Sequence, residues 1–599
     1  MSALSPFPLL LTPQFRRHSP RARRVTKAPL ISLAADPRGI DTLGWGFILQ
    51  HDVLPLIPQG ALTPVACASP DTFDALYDTL TEKLGPVAYC HRTKDNICAT
   101  ACHVRGAHHV TRAENCAPRR ESCRDWSGRR VAIVTLCLLS ILGGSAALWP
   151  SATLLALTFW TVLSLCATTG LRATAAFVEL LHSRRKGALW TSSRAHRIEV
   201  GALPSISLLV PLFKEQDIAA DLVARLNALD YPKGRLEVCL ILEERDTQTA
   251  DVLAWADLPE WMRIVRVPYG TLRTKPRAMN YALDFTNGDI VGIYDAEDMP
   301  AKDQLRKVAA GFARAKPNVA CLQGVLDFYN APQNWLTRCF TIDYAMWFRL
   351  ILPGMVRIGI VIPLEGTTVF FRRRALEDLG RWDAHNVTED ADLGVRLARR
   401  GYTAAFVDSV TQEEATSSVP AWVRQRSRWI KGYAVTWAVH MRDPLRLLGE
   451  LGAWKFIGVQ ILFLGTLTQF VMAPLLWSFW LVPFGFYHPV TEIAPYGVIL
   501  FIAALFLLAE IATMSMAAFA VAGPKRRWLI KWVPVMHLYF PLAAIASWKG
   551  FAELFTNPFY WDKTSHGRAP KPKRSILRRA GRSLRFLQRP DADAPQTPD

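Results

Sequence analysis

Charge is scarce in this chain of 599 residues: 20% of positions are Asp, Glu, Lys or Arg, and 50% are apolar. That balance is rich in apolar residues for a purely soluble protein. No CxxC pair occurs among the 11 cysteines. Residues 1–35 are basic but lack a run of roughly 7–15 apolar residues ending in a small-residue cleavage site, which excludes a signal peptide and predicts a disordered basic tail. Acidic residues are the minority, 51 against 70 Lys and Arg, for a net charge of +19. The excess sits in clusters at Arg16–Arg24, Arg184–Lys186, Lys525–Arg527 and Lys571–Arg589. Three of these lie within roughly 15–20 residues of a long apolar run, as cytoplasmic flanks of membrane spans do. The charge is therefore read as membrane orientation, with no nucleic acid as partner.

The apolar residues concentrate at 131–171 and 456–556, and the stretch between has ordinary globular composition. Val131–Trp149 holds 19 residues without a charge, and Thr153–Leu171 follows, stopping at Arg172. Nineteen residues at about 1.5 Å each approach a hydrocarbon core of about 30 Å. The connection between the two runs carries no Lys or Arg, while both outer ends do, so 129–172 is expected to form a hairpin with cytoplasmic ends. Phe456–Val482 and Tyr496–Val521 repeat the arrangement around a loop, Pro483–Pro495, that also lacks Lys and Arg. Trp528–Phe555 is interrupted by Lys531, Pro534, Pro541 and Lys549, which favours a re-entrant or interfacial element, or two short spans. Glu510 lies inside a predicted span, where a carboxylate lines an aqueous path or pairs internally. The expected location is the inner (plasma) membrane, multi-pass, with the soluble domain cytoplasmic and the lipid bilayer as a partner.

Residues 36–128 suggest a small α/β accessory domain, with loop and strand over Leu54–Pro70 and helices over Thr72–Leu84 and Asp95–Arg105. Six cysteines fall here (Cys67, Cys90, Cys98, Cys102, Cys116, Cys123), with His103, His108 and His109 nearby. A cytoplasmic setting argues against disulfides. Cys98 and Cys102 can share a helix face, which leaves a metal site open, although buried or spare thiols are commoner. The closing pattern AENCAPRRESCR weakly resembles the N-terminal domain of type II secretion ATPases. Some versions of that domain bind cyclic di-GMP, so the resemblance implies a regulator such as cyclic di-GMP as a candidate partner, beside a structural or docking role.

From Ile206 the texture changes. ISLLVPLF, LEVCLILEE, WMRIVRVP and GDIVGIYD are strand-length apolar runs separated by helical stretches, which predicts a mainly parallel α/β sheet over 200–445. Ligands bind beyond the carboxyl ends of such strands. Glu243 and Glu244 follow the second run, and Asp295, Glu297 and Asp298 end the fourth in YDAEDMP. These hard oxygen ligands suit Mg2+ or Mn2+. An acidic triplet after a strand is ordinarily a solvated turn; the functional edge of the sheet reverses that reading. In VTEDADLGVRLARRGY, Thr388 can cap a helix whose first turn holds Glu389, Asp390 and Asp392; the functional reading makes Asp390 a general base. In VRQRSRWIKGY, Arg428 offers a guanidinium for phosphate and Trp429 a flat face for a sugar ring, with Gln425 beside them. The same segment also reads as a basic amphipathic helix at the membrane surface.

DAED, TED and QRSRW, in this order within a two-hairpin membrane frame, are similar to the processive branch of glycosyltransferase family 2, which includes cellulose and hyaluronan synthases. The resemblance covers roughly residues 200–567. It implies a GT-A-like (Rossmann-like) domain on an α-helical transmembrane bundle, and inverting transfer of a sugar from a UDP-sugar to a growing polysaccharide coupled to export. It implies metal binding by Asp295 with Glu297 or Asp298, and base catalysis by Asp390 beside Glu389. Donor binding falls to Gln425, Arg428 and Trp429, to Lys275 and Asn280 of KPRAMN, and to Glu215 and Glu243, Glu244 or Asp246 around the nucleoside. The usual second metal Asp is Glu297 here, and the usual Asp after the second strand is a Glu. NPFYWDKTSHG (557–567) resembles a gating loop in which Lys563, Thr564 and His566 contact the nucleotide, ahead of a basic tail at 568–599. Lipid glycosyltransferases share the Asp and QxxRW pattern, so a glycolipid acceptor is the alternative; a degenerate export component is a further one.

Overall fold

The computed structural model describes residues 34–185, 203–215, 219–254, 256 and 258–556. The candidate gating residues Lys563, Thr564 and His566 lie outside them, as do the basic clusters at 16–24 and 571–589.

The N-terminal part builds a three-stranded sheet from β1 (Val53–Pro55), β2 (Thr63–Cys67) and β3 (Val87–His91), in the order β1-β2-β3. The helix Pro70–Leu84 makes the parallel crossover from β2 to β3. The following helix spans Lys94–Glu114, longer than the expected Asp95–Arg105, and its amide ends are served by Thr93 as N-cap. Cys67, Cys90 and Cys123 are buried thiols, and among the described residues no His/Cys/Asp/Glu cluster is arranged to hold a metal. The side chains of Cys98, Cys102 and His103 lie outside the description.

The central domain carries β4 (Ile206–Leu212), β5 (Leu236–Glu243), β6 (Met262–Val267), β7 (Ile290–Ile293), β8 (Met299–Pro300), β9 (Val319–Phe328), β10 (Val369–Arg372) and β11 (Thr403–Glu413). They form one sheet in the order β6-β5-β4-β7-β10-β9-β11-β8. All four apolar runs found in the sequence are strands. The sheet is mixed rather than mainly parallel: β6, β5, β4 and β7 run together, and β10 opposes both β7 and β9. The reversal matters for chemistry. With Val369 opposite Ile293, residues 366–368 at the start of β10 lie beside the carboxyl end of β7, where the acidic triplet begins. Glu413 pairs in register with Phe328, so the ends of β9 and β11 finish at the same edge.

Among the described residues, five helices are long and apolar enough to cross a membrane: Gly128–Leu148, Pro150–Arg184, Trp335–Arg357, Pro444–Val471 and Tyr496–Val521. The first buries none of its residues, leaving Leu136, Leu138 and Ile141 exposed, an unfavourable arrangement in water. The second does not stop at Arg172. It continues through Arg185 because its last turns pack on the domain: Ala175 and Ala176 are buried, Ala175 against Gly354, and Glu179 pairs with Arg357. Trp335–Arg357, absent from the expected spans, is mostly buried and lies between the sheet and the apolar helices. Arg527–Tyr539 and Leu542–Thr556 form a pair bent by 46°, in keeping with the interrupted run. Glu510 pairs internally, with His537 Nδ1 2.9 Å from its Oε1.

Candidate active site

Two adjoining cavities open at the carboxyl edge of the sheet. The larger, about 380 Å3, is lined by Glu215, Glu243, Lys275, Asp295, Glu297, Glu389, Asp390, Gln425, Arg428 and Trp429, ten of the residues singled out from sequence. The smaller, about 160 Å3, runs from Asp390 toward Leu462, Phe470, Phe540 and Ala543 and is walled by Tyr344, Trp347, Trp422, Trp429 and Tyr433. Asp390, Thr388, Glu365, Tyr344 and Trp429 line both.

The acidic turn after β7 divides its labour. Asp295, with its side chain 33% exposed, faces the larger cavity and holds the Lys275 ammonium, which also donates to the Gly366 carbonyl at 2.9 Å. Asp298 is 1% exposed and lies beneath; its Oδ2 accepts from the Asp295 amide at 2.9 Å and from the Thr367 hydroxyl. Its Oδ1 is buried without a hydrogen-bond partner. Arg225 donates to the carbonyls of Glu297 and Asp298, both at 2.8 Å, and so fixes the turn. Burial opposes the charge on Lys275, but Asp295 and Glu389 outweigh it and hold the ammonium above the ordinary lysine range.

Asp390 sits in the first turn of the helix Glu389–Arg399, and its Oδ1 accepts from the Ala391 amide at 2.7 Å. Gly366 permits this position, since a Cβ there would stand 2.9 Å from Asp390 Oδ2. Burial pushes the Asp390 carboxyl up to about 6, against the pull of the Ala391 amide and Lys275. Burial and the neighbouring Asp390 push Glu389 and Glu365 each up to about 8. Thr388 makes no side-chain cap; its methyl and hydroxyl are pressed against Gly432 instead. Asp392 points away from the cavity, binding Arg396 Nε at 2.7 Å and His440 Nε2 at 3.0 Å, all fully buried. This network joins the helix carrying Asp390 to the helix Val419–His440 carrying Gln425, Arg428 and Trp429. Those three fall at i, i+3 and i+4, on one helix face.

Burial opposes the charge on Asp392, but Arg396 and His440 outweigh it and hold the carboxyl below its usual range. Its contribution is therefore present above about pH 4 and lost on acidification. Asp392→Ala strands the buried Arg396 guanidinium and leaves His440 Nε2 without its acceptor, and is expected to cost about 3–5 kcal/mol, read as a lower melting temperature of the purified protein.

Three expected donor contacts are placed elsewhere. Asn280 is five residues past Lys275, about 140° around the helix, and faces away from the cavity. It is fully buried, donating to the carbonyls of Ala113 and Trp382 at 2.9 Å each. Glu244 alternates to the opposite side of the chain from Glu243, is exposed, and accepts from the Tyr269 amide at 3.2 Å. Asp246 is buried as the cap of the helix Thr247–Ala254 and also binds the Lys214 amide at 2.6 Å, next to Glu215. Glu243 does reach the cavity, paired with the fully buried Arg277 at 2.6 Å.

Sequence reasoning missed Glu365, Glu413 and Glu414, which also line the larger cavity. Glu413 and Glu414 end an apolar alternating run, TAAFVDSVTQEE, the same signal that pointed to Asp295. Glu365 has no such local mark; only the antiparallel β10 brings its segment to the edge.

Residues 290–522 match the family model described as glycosyl transferase family group 2. A beta-monoglucosyldiacylglycerol synthase from Nostoc sp. is 30% identical over 252 residues, 41% of this chain and 53% of that protein. Its counterpart from Synechocystis sp. is 29% identical over 299 residues, 49% of this chain and 60% of that protein. The chain thus spans little more than half the length of the curated relatives it matches. Among solved structures, a mannosyltransferase from Pyrobaculum calidifontis in complex with GDP-Man and Mn2+ is 21% identical, with a TM-score of 0.39 over 64% of this chain and 99% of that one. Taken with the acidic edge of the sheet and the helix bearing Gln425, Arg428 and Trp429, the family match identifies a family 2 glycosyltransferase domain in this chain.

Proposed function

We infer that the chain is a membrane-embedded, inverting glycosyltransferase that moves a sugar from a UDP-sugar to the end of a growing polysaccharide on the cytoplasmic face of the plasma membrane. The observation that carries this reading is the position of Asp390, where the polar cavity meets the aromatic one. In this reading the nucleotide lies in the larger cavity, with Glu215 and Glu243 toward the nucleoside and Lys275, Gln425 and Arg428 toward the diphosphate. Trp429 offers its face to the acceptor sugar. Asp390 takes the proton of the acceptor hydroxyl as that oxygen bonds to the anomeric carbon and the bond to the diphosphate breaks.

Asp295 at the cavity wall, with Glu297 beside it, offers hard oxygen donors of the kind Mg2+ or Mn2+ takes, the donor's phosphate oxygens supplying the rest, while Asp298 is buried beneath and does not line the cavity. Such a cation, when bound, neutralises charge on the departing diphosphate. Lys275 would share that task once a cation competes for Asp295.

A glycolipid acceptor is the second reading. It is favoured by the apolar walls of the smaller cavity at Leu462, Phe470 and Phe540 and by the names of the Nostoc and Synechocystis relatives. A donor screen on the purified protein, followed by product length and linkage analysis, separates the two. A polymer supports the first reading, a single-sugar lipid the second, and hydrolysis or transfer from no nucleotide-sugar overturns both.

A further inference from the structure

We propose that Glu114, in the last turn of the N-terminal domain's long helix, is a positioning residue for the donor site, fixing segment 268–274 and through it Arg273 and Lys275. The inference rests on reading the larger cavity as the donor site.

Segment 268–274 joins β6 to the helix Lys275–Leu283 and has no helix or strand of its own. Its downstream end, Arg273 with Lys275 following, lines the cavity. Its middle is held from outside the domain. Glu114 is 6% exposed; its Oε2 accepts the Thr271 hydroxyl at 2.7 Å and its Oε1 accepts the Leu272 amide at 3.0 Å. A buried carboxylate is costly unless hydrogen-bonded, so these two donors define where Glu114 sits, and Glu114 reciprocally defines where they sit. The fit is close: a Cβ on Gly270 would stand 2.5 Å from Glu114 Oε1 and 2.7 Å from Val110 Cγ1.

The same domain grips the other wall of the site. Ala113 O accepts from Asn280, which also holds Trp382 through that residue's carbonyl and amide. Ser122 Oγ and the Cys123 amide both donate to the buried Asp383 at 2.8 Å. Trp382 and Asp383 lead directly into 387–390, which carries Asp390. The N-terminal domain therefore contacts both segments that converge on the cavity; Glu114 is its side-chain contact to 268–274, beside the Ala113–Asn280 contact to the helix that follows. Without Glu114 the middle of the loop loses its two fixed contacts, while Arg277 still holds Pro268 O and Thr274 still holds Ala384 O; residues 270–272 must then be ordered when donor binds, a penalty that falls on donor affinity more than on the chemical step.

The test uses the purified full-length protein with Glu114→Ala, Glu114→Gln and Thr271→Ala, measuring donor KM, kcat, melting temperature and amide exchange over 268–275. Expected for Glu114→Ala is a donor KM raised about tenfold with kcat within about twofold of the parent. Glu114→Gln keeps one acceptor oxygen and Thr271→Ala keeps the amide contact, so each should raise KM less. Amide exchange should quicken over 268–275 and not across the N-terminal sheet. A lower kcat at unchanged donor KM, or exchange quickened throughout 53–91, marks a residue that merely holds the domain together and overturns the proposal. Should Glu114→Ala fail to fold, Glu114→Gln and Thr271→Ala decide by the same readings. If the parent protein turns over no nucleotide-sugar, the donor reading fails by itself; exchange over 268–275 then decides whether Glu114 fixes the loop, and unchanged exchange overturns it.

Discussion

Asp390→Asn is expected to fold, insert and bind donor, and to lose transfer by about a thousandfold, the scale of a positioned general base. The substitution preserves shape at a site where Gly366 leaves little spare room, so the loss would be chemical rather than steric. Stability should not suffer. Burial pushes the Asp390 carboxyl up to about 6, above its unfolded value, so its favourable contribution is complete in acid and is lost as pH rises through about 6. A neutral amide avoids that loss at neutral pH. The same position sets the pH dependence of kcat/KM, which reports the free enzyme. Activity should rise through about 6 as Asp390 gives up its proton. It should fall again above about 8, where Glu389 and Glu365 ionise beside it and repel the donor diphosphate. Near-normal turnover by Asp390→Asn, or a flat profile across both limbs, would remove Asp390 from its assigned role.

Asp295→Asn should lower transfer by about 100- to 1,000-fold, corresponding to several kcal/mol of lost charge stabilisation. Two consequences combine. The Lys275 ammonium loses its carboxylate partner, and the cavity loses a hard oxygen donor from its wall. Chelation of divalent cations from the parent protein should produce a loss of similar size, reversed by Mg2+ or Mn2+. In Asp295→Asn the activity that remains should need far more cation. Full activity after exhaustive chelation would show that Lys275 and Arg428 manage the diphosphate alone. Calorimetric titration of UDP with and without cation distinguishes lost binding from lost chemistry.

Much of the candidate site was legible because its residues carry local marks. Asp295 and Glu243 each end an apolar strand, and Gln425, Arg428 and Trp429 share a helix face by spacing alone. The failures have one physical origin. Asn280 and Asp246 stand in motifs that look like ligand contacts, yet the first is turned by helix rotation into the join with Ala113 and Trp382, and the second caps a helix. Thr388 looked like a cap, but tight packing against Gly432 holds it elsewhere. Asp392, an apparent first-turn acid, is drawn inward by Arg396 and His440, which lie 4 and 48 residues away.

By itself the sequence determined where four of the five long apolar helices among the described residues lie, that the four runs of the central domain become strands, and that Glu243 and Asp295 stand at strand ends. These depend on composition and short-range period, and neighbours within a few positions decide them. Tertiary structure alone decided that β10 runs antiparallel and carries Gly366 and Thr367 to the acidic turn. It alone placed Glu365 at the junction of two cavities and ran the second apolar helix on past Arg172. It also set the N-terminal helix against the loop 268–274, through a carboxylate 157 residues from its partner. Such contacts arise from pairing and burial between distant segments, and no local pattern records them.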